Sequence, residues 1–199
     1  MKVLAFSDLH RDLGAAASLV ERSAEADLVI GAGDFASVHE GLEEAVAALG
    51  GMAAPLLLVP GNNETEEALR AAAAGLEGAV VLHGEPSEEA GLTLFGLGGG
   101  IPTTPWDWSF DLSDEEAEAK LAACPEGIDL LVLHSPPRGH CDTSGSGDHL
   151  GSPALAAAIE RIGPRVAVCG HIHESWGAES AIGETRVYNL GPQGRVIAL

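Results

Sequence analysis

Residues 166–173 read VAVCGHIH, an apolar run that ends in two histidines. The β-branched run Val166–Cys169 is typical of a buried strand, so His171 and His173 leave the end of that strand together. If the backbone stays extended, the two imidazoles point to the same side and lie about 6 to 7 Å apart. Two such rings can straddle a pair of metal ions about 3.5 to 4 Å apart. Histidine is the commonest transition-metal ligand, but a strand cap beside a surface histidine is equally consistent with this stretch.

Apolar runs closed by polar residues recur from the N-terminus onwards. Strands are predicted at residues 2–6, 28–30 and 55–59, and they alternate with helices predicted at residues 12–26, 38–49 and 65–75. Ser37 is the predicted N-cap of the second helix. The alternation predicts a parallel sheet, whose functional groups collect beyond the carboxyl ends of the strands. The polar residues at those ends are Asp8, His10, Asp34 and Asn62.

The second half of the chain continues the same organisation. Further strands are predicted at residues 79–82, 92–97, 128–133, 185–189 and 195–199, the last two antiparallel. The strand at 128–133 ends in His134. Helices are predicted to begin at Ser113, with Glu116 at the capping-box position, and at Pro153, which suits a first helical position. The length and the absence of a linker predict one domain, residues 1–199.

Taken together, the strand ends carry the motifs DxH, GD, GNN, H and GHxH in that order. This order resembles the calcineurin-like metallophosphoesterase superfamily, whose pattern is DxH, GD, GNH followed by D or E, H, and GHxH. Within it, the sequence HSPPRG at residues 134–139 is similar to that of the small class III phosphodiesterase-like members. The resemblance implies a four-layer α/β/β/α sandwich made of two mixed β-sheets flanked by helices.

The resemblance also implies two metal sites that share one carboxylate. The first would be held by Asp8, His10, Asp34 and His173, and the second by Asp34, Asn62, His134 and His171. Carboxylate, amide and imidazole ligands suit Mn²⁺, Fe²⁺, Zn²⁺ or Ni²⁺ rather than an ion selected by thiolates. Two divalent metal ions are therefore the expected cofactors, with Mn²⁺ as the first expectation.

The chemistry expected of such a centre is hydrolysis of a small phosphate ester, nucleotide-type or aryl. A hydroxide that bridges the two ions would attack phosphorus in line, while the ions stabilise the equatorial oxygens. The expected catalytic residues are Asp34, Asn62, Asn63 and His134. No Ser/His/Asp or Cys/His arrangement competes with this interpretation. The enzyme is thus expected to be a metal-dependent phosphodiesterase or phosphatase.

One residue departs from the pattern of the superfamily. Asn63 stands where the GNH motif has histidine, and an amide can donate a hydrogen bond to a phosphoryl oxygen but cannot protonate a leaving group. Either the enzyme favours good leaving groups, or His140 or another loop histidine supplies the proton. The alternative function is a catalytically weakened scaffold of the same fold that binds partners, which only Asn63 supports.

Other residues close to these motifs are candidates for contact with substrate. Asn62 and Asn63 are expected to bind substrate, and Arg11 and Arg138 are the nearest cations in the sequence, each either a phosphate clamp or a solvated loop residue. The loop at residues 101–111 contains Trp106, Trp108 and Phe110. These rings would stack on a nucleobase or aryl group or pack over the core.

Composition limits the partners. Thirty Asp and Glu against ten Lys and Arg give a formal net charge of −20, which repels polyanions and anionic membranes. We therefore expect no stable nucleic-acid binding and no membrane association, only a small phosphate-ester substrate. Three cysteines without paired spacing are typical of a reducing compartment, and residues 1–6 are too short for a signal sequence, so we expect a cytoplasmic protein.

Overall fold

The computed structural model describes residues 1–199. Eleven strands and five helices follow one another along the chain. The strands are β1 (Lys2–Phe6), β2 (Leu28–Ala32), β3 (Leu56–Val59), β4 (Ala79–Val81), β5 (Glu85–Glu89), β6 (Leu92–Leu97), β7 (Leu130–Leu133), β8 (Val166–Cys169), β9 (Glu179–Ile182), β10 (Thr185–Asn189) and β11 (Arg195–Ala198). The helices are α1 (Leu13–Ser23), α2 (Leu42–Ala47), α3 (Glu66–Ala73), α4 (Asp114–Leu121) and α5 (Pro153–Ile162).

The strands form two mixed sheets. The first has the order β11-β1-β2-β3-β4, in which β1 to β4 are parallel and β11 pairs with β1 in the antiparallel sense. The second has the order β5-β6-β7-β8-β10-β9, in which β6, β7, β8 and β10 are parallel and the two edge strands are antiparallel. The predicted strands at residues 185–189 and 195–199 are present as β10 and β11, one in each sheet. Their predicted antiparallel arrangement holds for β11 against β1, whereas β10 is parallel to β8 and antiparallel only to the edge strand β9.

Three apolar clusters give the fold four layers. Val3 and Ala5 of β1 belong to a cluster shared with strands of the second sheet, whereas Leu4 and Phe6 belong to a cluster with the helices α1, α2 and α3. A third cluster joins the second sheet to α4 and α5. Successive strand residues point to opposite faces, and here both faces are covered, which explains the continuous apolar runs. The predicted α/β/β/α sandwich is confirmed.

The helix N-termini match their sequence signals except at α2, whereas α1 and α3 end two to three residues before their predicted ends at residues 26 and 75. Ser113 and Glu116 form the predicted capping box at the start of α4, and Pro153 is the first residue of α5. The predicted Ser37 cap is wrong: Ser37 pairs with Glu40 in an isolated bridge, and α2 begins only after Gly41. None of the five helices has the length and apolar character that crossing a membrane requires.

Candidate metal centre

The carboxyl ends of five strands converge on one site. Seven polar residues predicted from the motifs meet there: Asp8, His10, Asp34, Asn62, His134, His171 and His173. Ligand atoms of Asp8, His10 and His173 all lie within 4.8 Å of one another, and those of Asp34, His134 and His171 do so as well. We call these the first and the second cluster.

Asp34 lies between the two clusters. Its Oδ2 is 3.5 Å from Nε2 of His10 in the first cluster, and its Oδ1 is 3.4 Å from Nε2 of His134 in the second. The residue is 2% exposed, so its carboxylate has little access to water and its partners are groups of the protein. Each oxygen of one carboxylate therefore faces a different cluster.

Asn62 adds an amide oxygen to the second cluster. Its Oδ1 is 3.1 Å from Nδ1 of His171 and 3.3 Å from Nε2 of His134. Its amide nitrogen donates to Oγ of Ser109 at 2.8 Å, and that hydroxyl donates to Oδ1 of Asp111 at 2.6 Å. The chain of two hydrogen bonds fixes the amide so that its oxygen, not its nitrogen, faces the imidazoles.

The imidazole hydrogen bonds show which ring atoms are available as ligands. Nδ1 of His134 donates to the carbonyl of Ala32 at 2.8 Å, and Nδ1 of His10 donates to the carbonyl of Ala36 at 3.1 Å. In a neutral ring this leaves a lone pair on Nε2. Both lone pairs point at the carboxylate oxygens of Asp34, which are also acceptors. Lone pairs that converge in this way fit a bound cation, and a carbonyl behind each imidazole is the usual support for a metal ligand.

Without a cation, a proton takes on part of this role. Burial opposes a charge on both groups, but the negative charge of Asp34 and its hydrogen bond raise the pKa of His134 to about 9. Burial acts to raise the pKa of Asp34, yet the charges of His134 and His10 lower it below its usual range. Burial and the neighbouring charge of His134 lower the pKa of His171 to about 4. The site thus holds positive charge near Asp34 and leaves His171 neutral.

Glu64 and Trp176 support the ligands and were not assigned a role from the sequence. The buried Glu64 carboxylate accepts hydrogen bonds from the backbone N–H groups of Asp34, Ala36 and Gly61 at 2.7 to 3.0 Å, which ties the turn after β3 to the end of β2. Burial and the charge of Asp34 raise the pKa of Glu64 to about 7. Its position directly after GNN was the available signal. Nε1 of Trp176 donates to Oδ2 of Asp8 at 3.1 Å, and no sequence signal indicated this contact.

The expectation of an extended backbone through residues 170–173 is wrong. His171 is left-handed, with φ of 67°, and His173 starts a short 3-10 helix, His173–Ser175. Consequently the two imidazoles separate: His171 contacts Asn62, whereas Nε2 of His173 is 3.1 Å from Nε2 of His10. One histidine belongs to each cluster.

Asn63 is tied to the site by both ends of its amide. Its nitrogen donates to Oδ2 of Asp34 at 2.7 Å, and its oxygen accepts from the backbone N–H of Val38 at 2.7 Å. Its backbone N–H also donates to Oδ1 of Asp34. The residue that replaces the expected histidine therefore orients Asp34 and lines the cleft beside it.

The structure does not bring the remaining candidates into the site. Arg11 extends towards Glu40, with 3.8 Å between their charged atoms, and neither Arg11 nor Arg138 lines the cleft over the clusters. Nδ1 of His140 lies 2.8 Å from Oγ of Ser180 on β9, and His140 is also outside that cleft. Phosphate contact by the two arginines and proton donation by His140 thus have no support from this geometry.

A cleft of about 570 Å³ opens over both clusters. Its floor is formed by Asp34, Asn62, His10, His171 and His173, and residues 101–106 together with Trp108 form one wall. Phe110 does not line the cleft but packs against His83, with 5.4 Å between the ring centroids. Of the two alternatives for the aromatic loop, inward packing therefore applies to Phe110, whereas both tryptophans face the cleft.

Comparison with known proteins identifies the family. A family model described as calcineurin-like phosphoesterase matches residues 1–175. The UPF0046 protein T07D4.2 of Caenorhabditis elegans is 34% identical over 109 residues. These residues are 51% of this chain and 26% of that protein, so the match spans about a quarter of that relative.

Solved structures are similar to this chain in fold. The protein TT1561 of Thermus thermophilus has a TM-score of 0.76 at 19% identity, covering 96% of this chain and 90% of that one. A dimetal phosphatase from Danio rerio has a TM-score of 0.62 at 11% identity, covering 96% and 88%. These two structures show the shared fold, and because the family model covers most of the sequence, the chain belongs to the calcineurin-like phosphoesterase family.

Proposed function

We propose that this chain is a phosphoesterase with two metal ions that hydrolyses small phosphodiesters. The observation that carries the proposal is the position of Asp34, whose two carboxylate oxygens each face a separate cluster of imidazoles. The fold shared with a dimetal phosphatase agrees with a two-ion site. The proposed ligands are those expected from the motifs, with Asp34 common to both ions. Their oxygen and nitrogen donors suit Mn²⁺ as the first choice among the divalent ions.

In such a site the bound ions and the two asparagines would have different roles. Bound divalent cations would supply charge neutralisation at the phosphoryl group and activation of a water nucleophile near neutral pH. Asn62 presents its oxygen to the second cluster because Ser109 holds its nitrogen. Asn63 holds Oδ2 of Asp34 and so keeps the shared carboxylate in one orientation. Neither asparagine can donate a proton to a departing alkoxide, which favours esters with good leaving groups, such as aryl phosphodiesters.

The cleft and the charge of the chain support a small substrate. The net charge is −20, and no Lys or Arg lines the cleft, so a long polyanion would find no basic surface along its path. The proposed partner is accordingly a small phosphate ester, with no stable nucleic-acid or membrane partner.

The test combines metal binding with hydrolysis of bis(4-nitrophenyl) phosphate. Wild type, His171→Ala and His149→Ala are compared after loading with Mn²⁺. His149 is an exposed loop histidine that pairs with Asp142 outside both clusters, so it serves as the matched control. We expect two ions per wild-type chain and a loss of activity in His171→Ala of about 10²-fold or more, the scale of removing one group that stabilises the transition state. Full activity in His171→Ala would refute the two-metal mechanism, and a wild type that binds no Mn²⁺ and cleaves no ester would favour the scaffold.

A further inference from the structure

The wall formed by Trp106 and Trp108 is a part of the cleft that the metal chemistry does not use. The two indoles are stacked, with 5.5 Å between centroids and 12° between ring planes. Trp106 is 49% exposed, although the side chains of Phe6, Phe35 and Phe95 are fully buried. A flat aromatic surface left open beside a polar site marks a place where a ligand is bound.

The wall is held in place before any ligand arrives. Asp111 accepts hydrogen bonds from the backbone and hydroxyl of Thr104 at 2.6 and 2.8 Å, which closes the loop on itself. The carbonyl of Trp108 accepts from Nε2 of His39 at 2.6 Å, and the His39 ring stands edge-on to the indole. Because these contacts fix the loop, a ligand that stacks there pays little ordering cost.

The loop is also joined to the floor of the cleft. The backbone N–H of Phe110 donates to the carbonyl of Asn62 at 3.0 Å, and Ser109 binds the side chain of the same residue. The wall and the second cluster therefore keep a fixed separation. A single ligand can span them, with its anionic group at the clusters and its flat group on the wall.

Charge limits what that ligand can be. The carboxylates lining the cleft are Asp34 and Glu174, and no Lys or Arg lines it. Cations at the two clusters would be matched by one phosphate group, whereas the further phosphates of a polyphosphate would meet no positive side chain. The chemistry of the wall favours a planar ring, because every aromatic π-face stacks on indole.

We propose that Trp106 and Trp108 form a subsite for the planar aromatic group of a phosphodiester whose phosphate is bound at the two clusters. This inference rests on the proposed function and adds the class of group that the substrate carries. It assigns specificity to the loop at residues 101–111 and leaves the hydrolytic chemistry to the clusters.

The experiment compares two probes that cannot be hydrolysed, phenylphosphonate and methylphosphonate, by titration calorimetry on the Mn²⁺-loaded chain. Wild type is expected to bind the phenyl probe about 5- to 100-fold more tightly, the range found for stacking on one aromatic side chain. Trp106→Phe keeps a flat ring and is expected to keep most of this preference, whereas Trp106→Leu is apolar but not flat and is expected to lose it. Leu13→Ala removes an exposed apolar side chain of α1 and serves as the control with the wild-type ratio.

The outcomes separate this inference from the proposed function. A Trp106→Leu ratio equal to that of wild type or of Trp106→Phe would overturn the stacking subsite, even with methylphosphonate still bound. A wild type that binds neither Mn²⁺ nor methylphosphonate would overturn the proposed function, and the subsite with it. Failure of the subsite appears only in the ratio of the two affinities. Failure of the proposed function appears in the wild type, before any variant is made.

Discussion

Asn189 at the end of β10 allows a test of the hydrogen bonds that hold the loop around His171 and the loop after β7. It is fully buried, and its amide nitrogen faces the carbonyls of Cys141, Gly170 and Ile172 at 3.0, 3.1 and 3.3 Å. Two of these carbonyls flank His171, and the third lies in the loop after β7. One side chain therefore ties together two loops of the metal centre. Asn189→Asp keeps its shape and removes both N–H donors.

The cost of Asn189→Asp has two parts. One of the two hydrogen bonds is lost, since a protonated carboxyl keeps a single O–H donor, and leaving a buried carbonyl without a partner costs about 1 to 3 kcal/mol of the free energy of unfolding. A buried carboxyl that faces carbonyl oxygens must also stay protonated, which raises its pKa in the folded state. Above the unfolded pKa near 3.9, holding that proton costs about 1.4 kcal/mol per pH unit, or roughly 4 kcal/mol at pH 7. The sum at pH 7 is about 5 to 7 kcal/mol, which approaches the whole stability of a typical domain.

The sign of the pH dependence is specific to this mechanism. A folded-state pKa raised above the unfolded value gives a variant whose stability is greatest at low pH and is lost as pH rises. Urea unfolding in EDTA at pH 4, 5.5 and 7 should show the difference from wild type growing with pH. Gln193→Glu makes the same amide-to-carboxylate change at an exposed position and should stay within about 0.5 kcal/mol of wild type. A pH-independent difference under about 1 kcal/mol would refute the assigned hydrogen bonds.

Three further predictions address the site and its surroundings. Ser109→Ala frees the amide of Asn62 and should weaken Mn²⁺ binding about 10- to 100-fold in calorimetry, whereas an unchanged affinity would show that Ser109 does not orient the ligand. Burial lowers the pKa of His83, whose Nδ1 accepts from Gly98, so the unfolded state binds more protons below about pH 6.5. The contribution of His83 to stability should then fall as pH drops from 7 to 5, so wild type should lose stability relative to His83→Gln over that range in urea unfolding. Asn63→His should speed hydrolysis of alkyl phosphodiesters by up to about 10²- to 10⁴-fold and aryl ones far less; equal effects on a series of graded leaving groups would contradict the role given to Asn63.

The sequence predicted the central strands well because burial leaves a clear local signature. Strands β1, β6 and β8 have the predicted bounds, since both faces of each strand are covered and their residues are mainly apolar. The edge strands β5 and β9 were missed. They read EPSEE and ESAI, and polar edges that face water carry no hydrophobic pattern.

The predicted start of helix α2 was wrong for a different reason. The turn before it is held by contacts from the far side of the site: Val38 N–H donates to the Asn63 side chain, and His39 N–H donates to the Asn63 carbonyl. These bonds keep residues 38–40 out of a helix in spite of a good N-cap residue at Ser37. Tertiary hydrogen bonds thus outweighed local propensity at a point next to the metal centre.

The same principle explains which part of the site could not be predicted from local sequence. The motifs gave residues that the structure brings together because the carboxyl ends of parallel strands meet, but they did not give the backbone that carries His171 and His173 to their two clusters. Left-handed backbone does so, at φ of 54° for Asp8, 59° for Asp34 and 67° for His171. Such conformations cost about 1 to 2 kcal/mol for each residue, and here distant partners offset that cost. The His171 N–H binds the Asp8 carboxylate at 3.0 Å, and Asp8 N–H binds the Gly33 carbonyl at 2.9 Å. Two histidines that are neighbours in sequence therefore reach two clusters through backbone that groups on other strands hold out of its extended form.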